Sequence, residues 1–303
     1  MRRLVVLAAV GALLTGCSST HSPDAAPAPS TSVSVPASTP AATPTLTTSA
    51  RPTPRHTPPR PPTAARPTST TTAPPPAPSA SFPPGSGPVV ALNPGHNGAN
   101  GSHPAEINRL VPADRYGDTK ACDTTGTNTD AGYPEHAFNW DVTLRVRALL
   151  QARGVRVILT RPDDSGVGPC VDERAAIGNQ TGVTAVISIH ADGAGSDGHG
   201  FHVCEDSQPP AGAAVAARSH RLTVAMHDAL LRGSGLTTST YLGSNGYFPR
   251  SDLAGLNLAT VPATFLELGN MRNAGDAALQ SSTSGRQRVA AAVAAGILAY
   301  LGG

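Results

Sequence analysis

Four residues of this 303-residue chain combine a reactive type with a position that needs explaining. His96 follows the apolar run 89–93 through the turn Pro94-Gly95. His190 closes the β-branched run 186–189, and Glu267 sits inside Phe265-Leu266-Glu267-Leu268. Glu135 follows Pro134 at the expected start of a helix. Two histidines and one carboxylate form a common catalytic zinc set that leaves a fourth position for water. A further glutamate then serves as general base toward that water. Each residue also has a plainer reading. His96 is a turn residue, His190 a buried imidazole with some other partner, and Glu135 an ordinary helix-start acid that favours the dipole. His136 is a rival to Glu135, because adjacent helix positions point about 100° apart and only one of them faces a given ion. Glu267 is the strongest of the four. A carboxylate inside an apolar run is costly unless a metal, a base role or a charge partner accounts for it.

These side chains meet only if the elements carrying them end at one rim. The run 88–93 reads as a strand delivered into a turn. Residues 97–133 are polar and glycine-bearing with no periodicity, a length of loop that is usually functional or disordered. Pro134-Glu135 opens a helix with the stripe Phe138, Val142, Val146, Leu149 and Leu150, ended by Gly154. Strands are expected over 155–160, 185–190, 201–204 and 260–268, and helices over 172–179, 213–231 and 286–301. Strands alternating with helices point to an α/β domain, its mainly parallel sheet covered on both faces. In such sheets ligands gather where the strands finish at their carboxyl ends. His96, His190 and Glu267 all fall there.

The rest of the chain has another character. Of thirty prolines, nineteen fall within 18–87, a stretch of Ser, Thr, Ala and Pro with one aromatic (Phe82). Such a segment buries too little apolar area to offset chain entropy, so 17–87 reads as a disordered linker and 88–303 as the foldable part. That part holds sixteen Lys and Arg against nineteen Asp and Glu, which leaves no basic face for nucleic acid. Ahead of the linker, Met1-Arg2-Arg3 and the uncharged run 4–14 have the form of a secretory signal, too short to span a bilayer. Leu14-Thr15-Gly16-Cys17 resembles the bacterial lipobox. Residues 1–16 then become a lipoprotein signal peptide, Cys17 the lipidated first residue, and the mature protein an extracytoplasmic one, held on the outer side of a membrane and facing the cell wall or periplasm. In that oxidising compartment two of the remaining cysteines should pair. Cys122 and Cys170 both lie in loop sequence while Cys204 sits in an apolar run, so a Cys122–Cys170 bridge is expected.

The quoted residues also carry a family resemblance. The run 89–98, ending Pro94-Gly95-His96-Asn97-Gly98, looks like the opening strand and metal-binding turn of the zinc-dependent N-acetylmuramoyl-L-alanine amidases of type 3. Pro134-Glu135 with Asn139 is similar to that family's glutamate-bearing helix. Thr160-Arg161-Pro162-Asp163, the stretch 172–179, Ser188-Ile189-His190-Ala191 and the strand 262–269 match further family segments in order, from 89 to 301. The resemblance implies a single α/β domain with a twisted, mostly parallel sheet of about six strands flanked by helices on both faces. It implies one Zn2+ per domain held by His96, Glu135 and His190, with Glu267 as catalytic base. The substrate it implies is peptidoglycan, cut at the amide joining the lactyl group of MurNAc to L-Ala of the stem peptide. A monomer is expected, with peptidoglycan and the membrane lipid as its partners.

Asp192, two residues past His190, is either a support for that histidine or a turn acid at the surface. The stretch 98–133 is longer than a bare connector, and a bridge to Cys170 would pin it beside the metal rim. After Gly269 the chain reads Asn270-Met271-Arg272, where the family more often places an aromatic. Competing readings are a zinc peptidase acting within stem peptides, an inactive wall-binding or regulatory protein, and a purely structural zinc site whose chelation melts the domain.

Overall fold

The computed structural model describes residues 82–83, 85–207 and 211–302. The expected signal sequence, Cys17 and nearly all of the 17–87 linker lie outside them. The elements in chain order are β1 (Val89–Pro94), a 3-10 turn (Asn100–Ser102), α1 (Pro104–Ile107), β2 (Leu110–Pro112), β3 (Thr119–Ala121) and α2 (Glu135–Gln151). They continue as β4 (Arg156–Leu159), α3 (Val171–Gly178), β5 (Val183–Asp192), β6 (His202–Cys204), α4 (Ala213–Gly233), α5 (Ala254–Asn257), β7 (Ala263–Asn270), α6 (Ala274–Ser281) and α7 (Thr283–Gly302).

The main sheet has the order β4-β1-β5-β7-β6. Every neighbouring pair is parallel except β6 against β7. The fold is thus the expected α/β architecture with five strands and not about six. The extra pair of strands in the chain, β2 with β3, forms a separate antiparallel ribbon within the 98–133 stretch. The helical stripe of α2 is buried as the periodicity requires: Phe138, Val142, Val146 and Leu150 pack with Leu222, Met226, Val289, Val293 and Ile297 of α4 and α7 on one face. The other face carries a smaller cluster of Val89, Val183, Val186, Leu256 and Phe265. α3 and α5 lie there. Contacts of the domain begin ahead of Pro88: the Phe82 N–H donates to the Arg153 carbonyl at 2.8 Å and its ring packs against the larger core.

The loop-like stretch is ordered by side chains that no periodicity announces. Asp114 Oδ1 accepts the N–H groups of Tyr116, Gly117 and Asp118 at 2.7–3.1 Å, closing the β2–β3 turn. The Cys122–Cys170 disulfide ties the end of that ribbon to the start of α3. From the ribbon Arg115 donates to the Asn257 carbonyl and Lys120 to the Asp252 carbonyl, 3.2 and 2.8 Å away, so it abuts the α5 segment. β1 connects through α2 to β4 on one side, while β5 leads to β6 and β7 on the other. The crevice between the carboxyl ends of β1 and β5 is therefore the switch point of the sheet, where ligands of open α/β sheets bind.

Candidate metal centre

That crevice is a cleft of about 420 Å³ lined by His96, Glu135, His190, Asp192, Phe265 and Glu267 among others. One ligand atom from each of His96, Glu135 and His190 lies within 4.8 Å of the other two. Three elements deliver them. β1 ends at Pro94, and Gly95 still donates its N–H to the Ile189 carbonyl of β5 at 3.0 Å. His96 then turns with φ +58°, a left-handed conformation that non-glycine residues adopt mainly at functional sites. Gly95 has no room for a side chain, because a Cβ there would meet the His190 ring at 1.9 Å. Glu135 is brought by the first turn of α2, and His190 by the end of β5.

Glu135 is the hub. Its Oε2 lies 3.2 Å from His96 Nε2 and its Oε1 3.0 Å from His190 Nδ1. The same carboxylate accepts the Thr127 N–H at 3.0 Å, the Ala191 N–H at 3.2 Å and the Asn139 amide at 3.1 Å. Its burial favours the neutral acid, yet the facing His96 and His190 outweigh that and hold it well below the usual carboxylate range. His96 shows the reciprocal effect. Burial works against its charged form, but Glu135 and Asp123 prevail and lift it to about 10. On its far side His96 Nδ1 contacts Asp123 Oδ1 and the Thr124 carbonyl, both at 3.1 Å. A carboxylate there fixes ring orientation and leaves Nε2 for the site, the usual support of a metal-bound histidine. Asp123 in turn pairs with the buried Arg174 at 3.2 Å, and Arg174 also donates to the carbonyls of Pro94 and His96.

His190 stacks on Phe265 at 4.3 Å between ring centroids and takes no support from Asp192, whose Oδ1 accepts the Gly193 N–H at 2.7 Å. The turn-acid reading of Asp192 is the one its contacts match. His136, the rival to Glu135, points elsewhere and bonds to Asp164 at 2.8 Å. Glu267 is paired with His190 across β5 and β7 and borders the cleft. Burial, then the charges of Glu135 and Asp192, raise it well above the usual carboxylate range, as suits a group that must accept and return a proton. Two imidazoles and a carboxylate converging with an open side toward a cleft fit a divalent zinc-type ion. Asp123 and Arg174 had no assigned role in the sequence reading. Asp123 lies in an aperiodic stretch, and its only signal is adjacency to Cys122.

Comparison with known proteins agrees with this geometry. The profile of the N-acetylmuramoyl-L-alanine amidase family matches residues 90–299. The N-acetylmuramoyl-L-alanine amidase Rv3717 of Mycobacterium tuberculosis is 48% identical over 215 residues, which covers 71% of this chain and 87% of that protein. Among solved structures, the N-acetylmuramyl-L-alanine amidase Ami1 of Mycobacterium smegmatis is 50% identical with a TM-score of 0.68, covering 73% of this chain and 99% of that one. The apo form of Ami1 from Mycobacterium abscessus is 51% identical with a TM-score of 0.67, covering 71% and 99%. The amidase AmiC2 of Nostoc punctiforme, 21% identical with a TM-score of 0.54 over 71% of this chain and 98% of that one, shares the fold. With its ligand-type residues gathered at the switch point of that fold, the chain belongs to the N-acetylmuramoyl-L-alanine amidase family.

Proposed function

We propose that this protein hydrolyses the amide between the lactyl group of MurNAc and L-Ala of peptidoglycan, using one zinc ion held by His96, Glu135 and His190 and Glu267 as general base. The observation that carries the reading is the convergence of the three ligand atoms within 4.8 Å, with Glu267 beside His190 in the sheet. When bound, zinc supplies Lewis acidity toward the scissile carbonyl and lowers the pKa of a water. The residues of the chain do the rest. Asp123 and Glu135 hold the His96 ring, Phe265 and Glu135 hold that of His190, and the half-buried Glu267 takes the proton of the attacking water. Water oxygen bonds to the carbonyl carbon, the C–N bond breaks, and Glu267 returns the proton to the departing L-Ala nitrogen. The reaction consumes one water and ends with the base regenerated.

The address proposed for this activity is extracytoplasmic. Residues 1–16 serve as signal peptide, Cys17 carries the lipid and 17–87 is the tether that lets the catalytic domain over 88–303 reach the wall. No helix among the described residues is long and apolar enough to cross a membrane. Metal analysis with hydrolysis of purified sacculi by wild type, His190→Ala and Glu267→Gln tests the roles. The expected result is lost metal in the first variant, and retained metal without turnover in the second. Muramyl dipeptide separates bond choices: release of free L-Ala-D-isoglutamine supports amidase action, whereas cleavage between the amino acids assigns a peptidase and overturns the reading.

A further inference from the structure

Three polar residues stand abreast on the sheet face that carries the centre. Glu267 of β7 is paired in register with His190 of β5 on one side and with His202 of β6 on the other. Cross-strand partners place their Cβ atoms about 4.5–5.5 Å apart on the same face. His202 shares that face with Cys204, two residues on, and is wholly buried at 0% exposure. It does not line the cleft. Neither of its ring nitrogens has a hydrogen-bond partner among the described residues, and neither has the inner oxygen of the base, Glu267 Oε2. Two rings flank it: Tyr241 edge-on at 6.0 Å and Phe248 edge-on at 5.5 Å. A phenylalanine would fill such a nest without stranding two polar atoms, which are costly when buried unpaired. Phe248 offers the imidazole no polar atom, and the Tyr241 hydroxyl makes no hydrogen bond to it.

We propose that His202 is the positioning residue of Glu267: its ring N–H holds the inner carboxylate oxygen, so that the outer oxygen is aimed at the cleft. The inference rests on Glu267 being the general base. A side-chain rotation closes the contact directly, or one water bridges it. His202 is fitted to donate without adding charge. Burial keeps it neutral, down to about 4, with Asp192 opposing and Arg250 reinforcing that shift, so one ring nitrogen carries a proton and the other a lone pair. The other charged groups around Glu267 are Glu135 of α2, Asp192 of β5, His96 after β1 and Arg250. Glu135 and Asp192 repel its carboxylate, and none of the four is bonded to it. In the register of the sheet two imidazoles flank it, and with His190 of β5 assigned to the metal, the one left to donate is that of His202 in β6.

The test compares wild type, His202→Phe, His202→Asn and Glu267→Gln as full chains, with zinc content and thermal midpoint measured alongside. With purified muramyl peptide, His202→Phe should lower kcat about 10- to 100-fold at unchanged KM and unchanged zinc content. His202→Asn, which keeps an N–H, should recover part of the loss and serves as the folded control if the Phe variant is unstable. Infrared spectra of zinc-loaded and metal-free protein supply a readout apart from turnover. The carboxyl band that disappears in Glu267→Gln should shift in His202→Phe and return toward its place in His202→Asn. If Glu267→Gln is inactive while His202→Phe keeps wild-type kcat and band position, the positioning role is wrong and the base assignment stands. If Glu267→Gln remains active, the base assignment itself fails.

Discussion

At the scale of single residues, the legible ones were polar side chains that interrupt an apolar run. His190 and Glu267 stand out because strand interiors do not hold them without a partner. Asp123 and Arg174 support the centre just as directly, yet lie where no period predicts burial. His202 occupies the same kind of position as His190, within the short run 201–204, and four residues are too few for a pattern to flag it. It gives a pH prediction of its own. In the unfolded chain its ring takes a proton near the ordinary value of 6.5, whereas the folded ring waits until about 4. Between those values the unfolded state binds more protons, so stability falls as pH drops through that window, by up to about 3 kcal/mol. Urea denaturation of wild type and His202→Phe between pH 7 and 4 should show the wild-type slope to be steeper; parallel curves would remove the buried imidazole as its cause. Gly95 supplies a steric prediction. Because a methyl there overlaps the His190 ring at 1.9 Å, Gly95→Ala should displace that ring and weaken zinc binding at least tenfold, read by competition with a chromophoric chelator.

At the scale of elements, the strands and long helices of the sheet were readable from periodicity, and the 98–133 stretch was not. Its order comes from single side chains: Asp114 collecting three N–H groups, the Cys122–Cys170 bridge, and Lys120 reaching the Asp252 carbonyl. The bridge has a job at a distance. Asp123 follows Cys122, and Arg174 lies in the helix that Cys170 opens, so the disulfide fixes both halves of the pair behind His96. Its cysteines are 48 residues apart in sequence, for which the chain-entropy picture gives about 4 kcal/mol of stabilisation. Reduction, or a Cys122→Ser/Cys170→Ser variant, should lower the thermal midpoint and also weaken zinc affinity about 10- to 100-fold. A drop in midpoint with unchanged zinc affinity would confine the bridge to a stabilising role. Arg161 is the corresponding brace after β4. Fully buried, it donates to the carbonyls of Pro94, Asp163 and His136 and pairs with Asp164 at 2.9 Å. Arg161→Met strands those acceptors and should cost about 3 kcal/mol or more, roughly 6–12 °C in midpoint for a domain of this size.

At the scale of the whole molecule, the proposed anchor and the catalytic domain are separable in function. Cys17→Ala should move the protein from the membrane fraction to the soluble one and abolish labelling by a fatty-acid precursor, while turnover of soluble muramyl peptide stays within twofold. Retention in the membrane fraction would reject the lipobox. The domain itself keeps the rings and carboxylate of its centre in register through groups of the polypeptide. Thr127 and Ala191 hold Glu135 by their N–H groups, Asn139 by its amide, and Asp123 steadies His96. None of these braces requires an ion. Stripping with a chelator should therefore leave the far-ultraviolet spectrum intact and the socket in shape, and added zinc should restore turnover without a refolding lag, so that metallation is a reversible final step applied to an already finished protein.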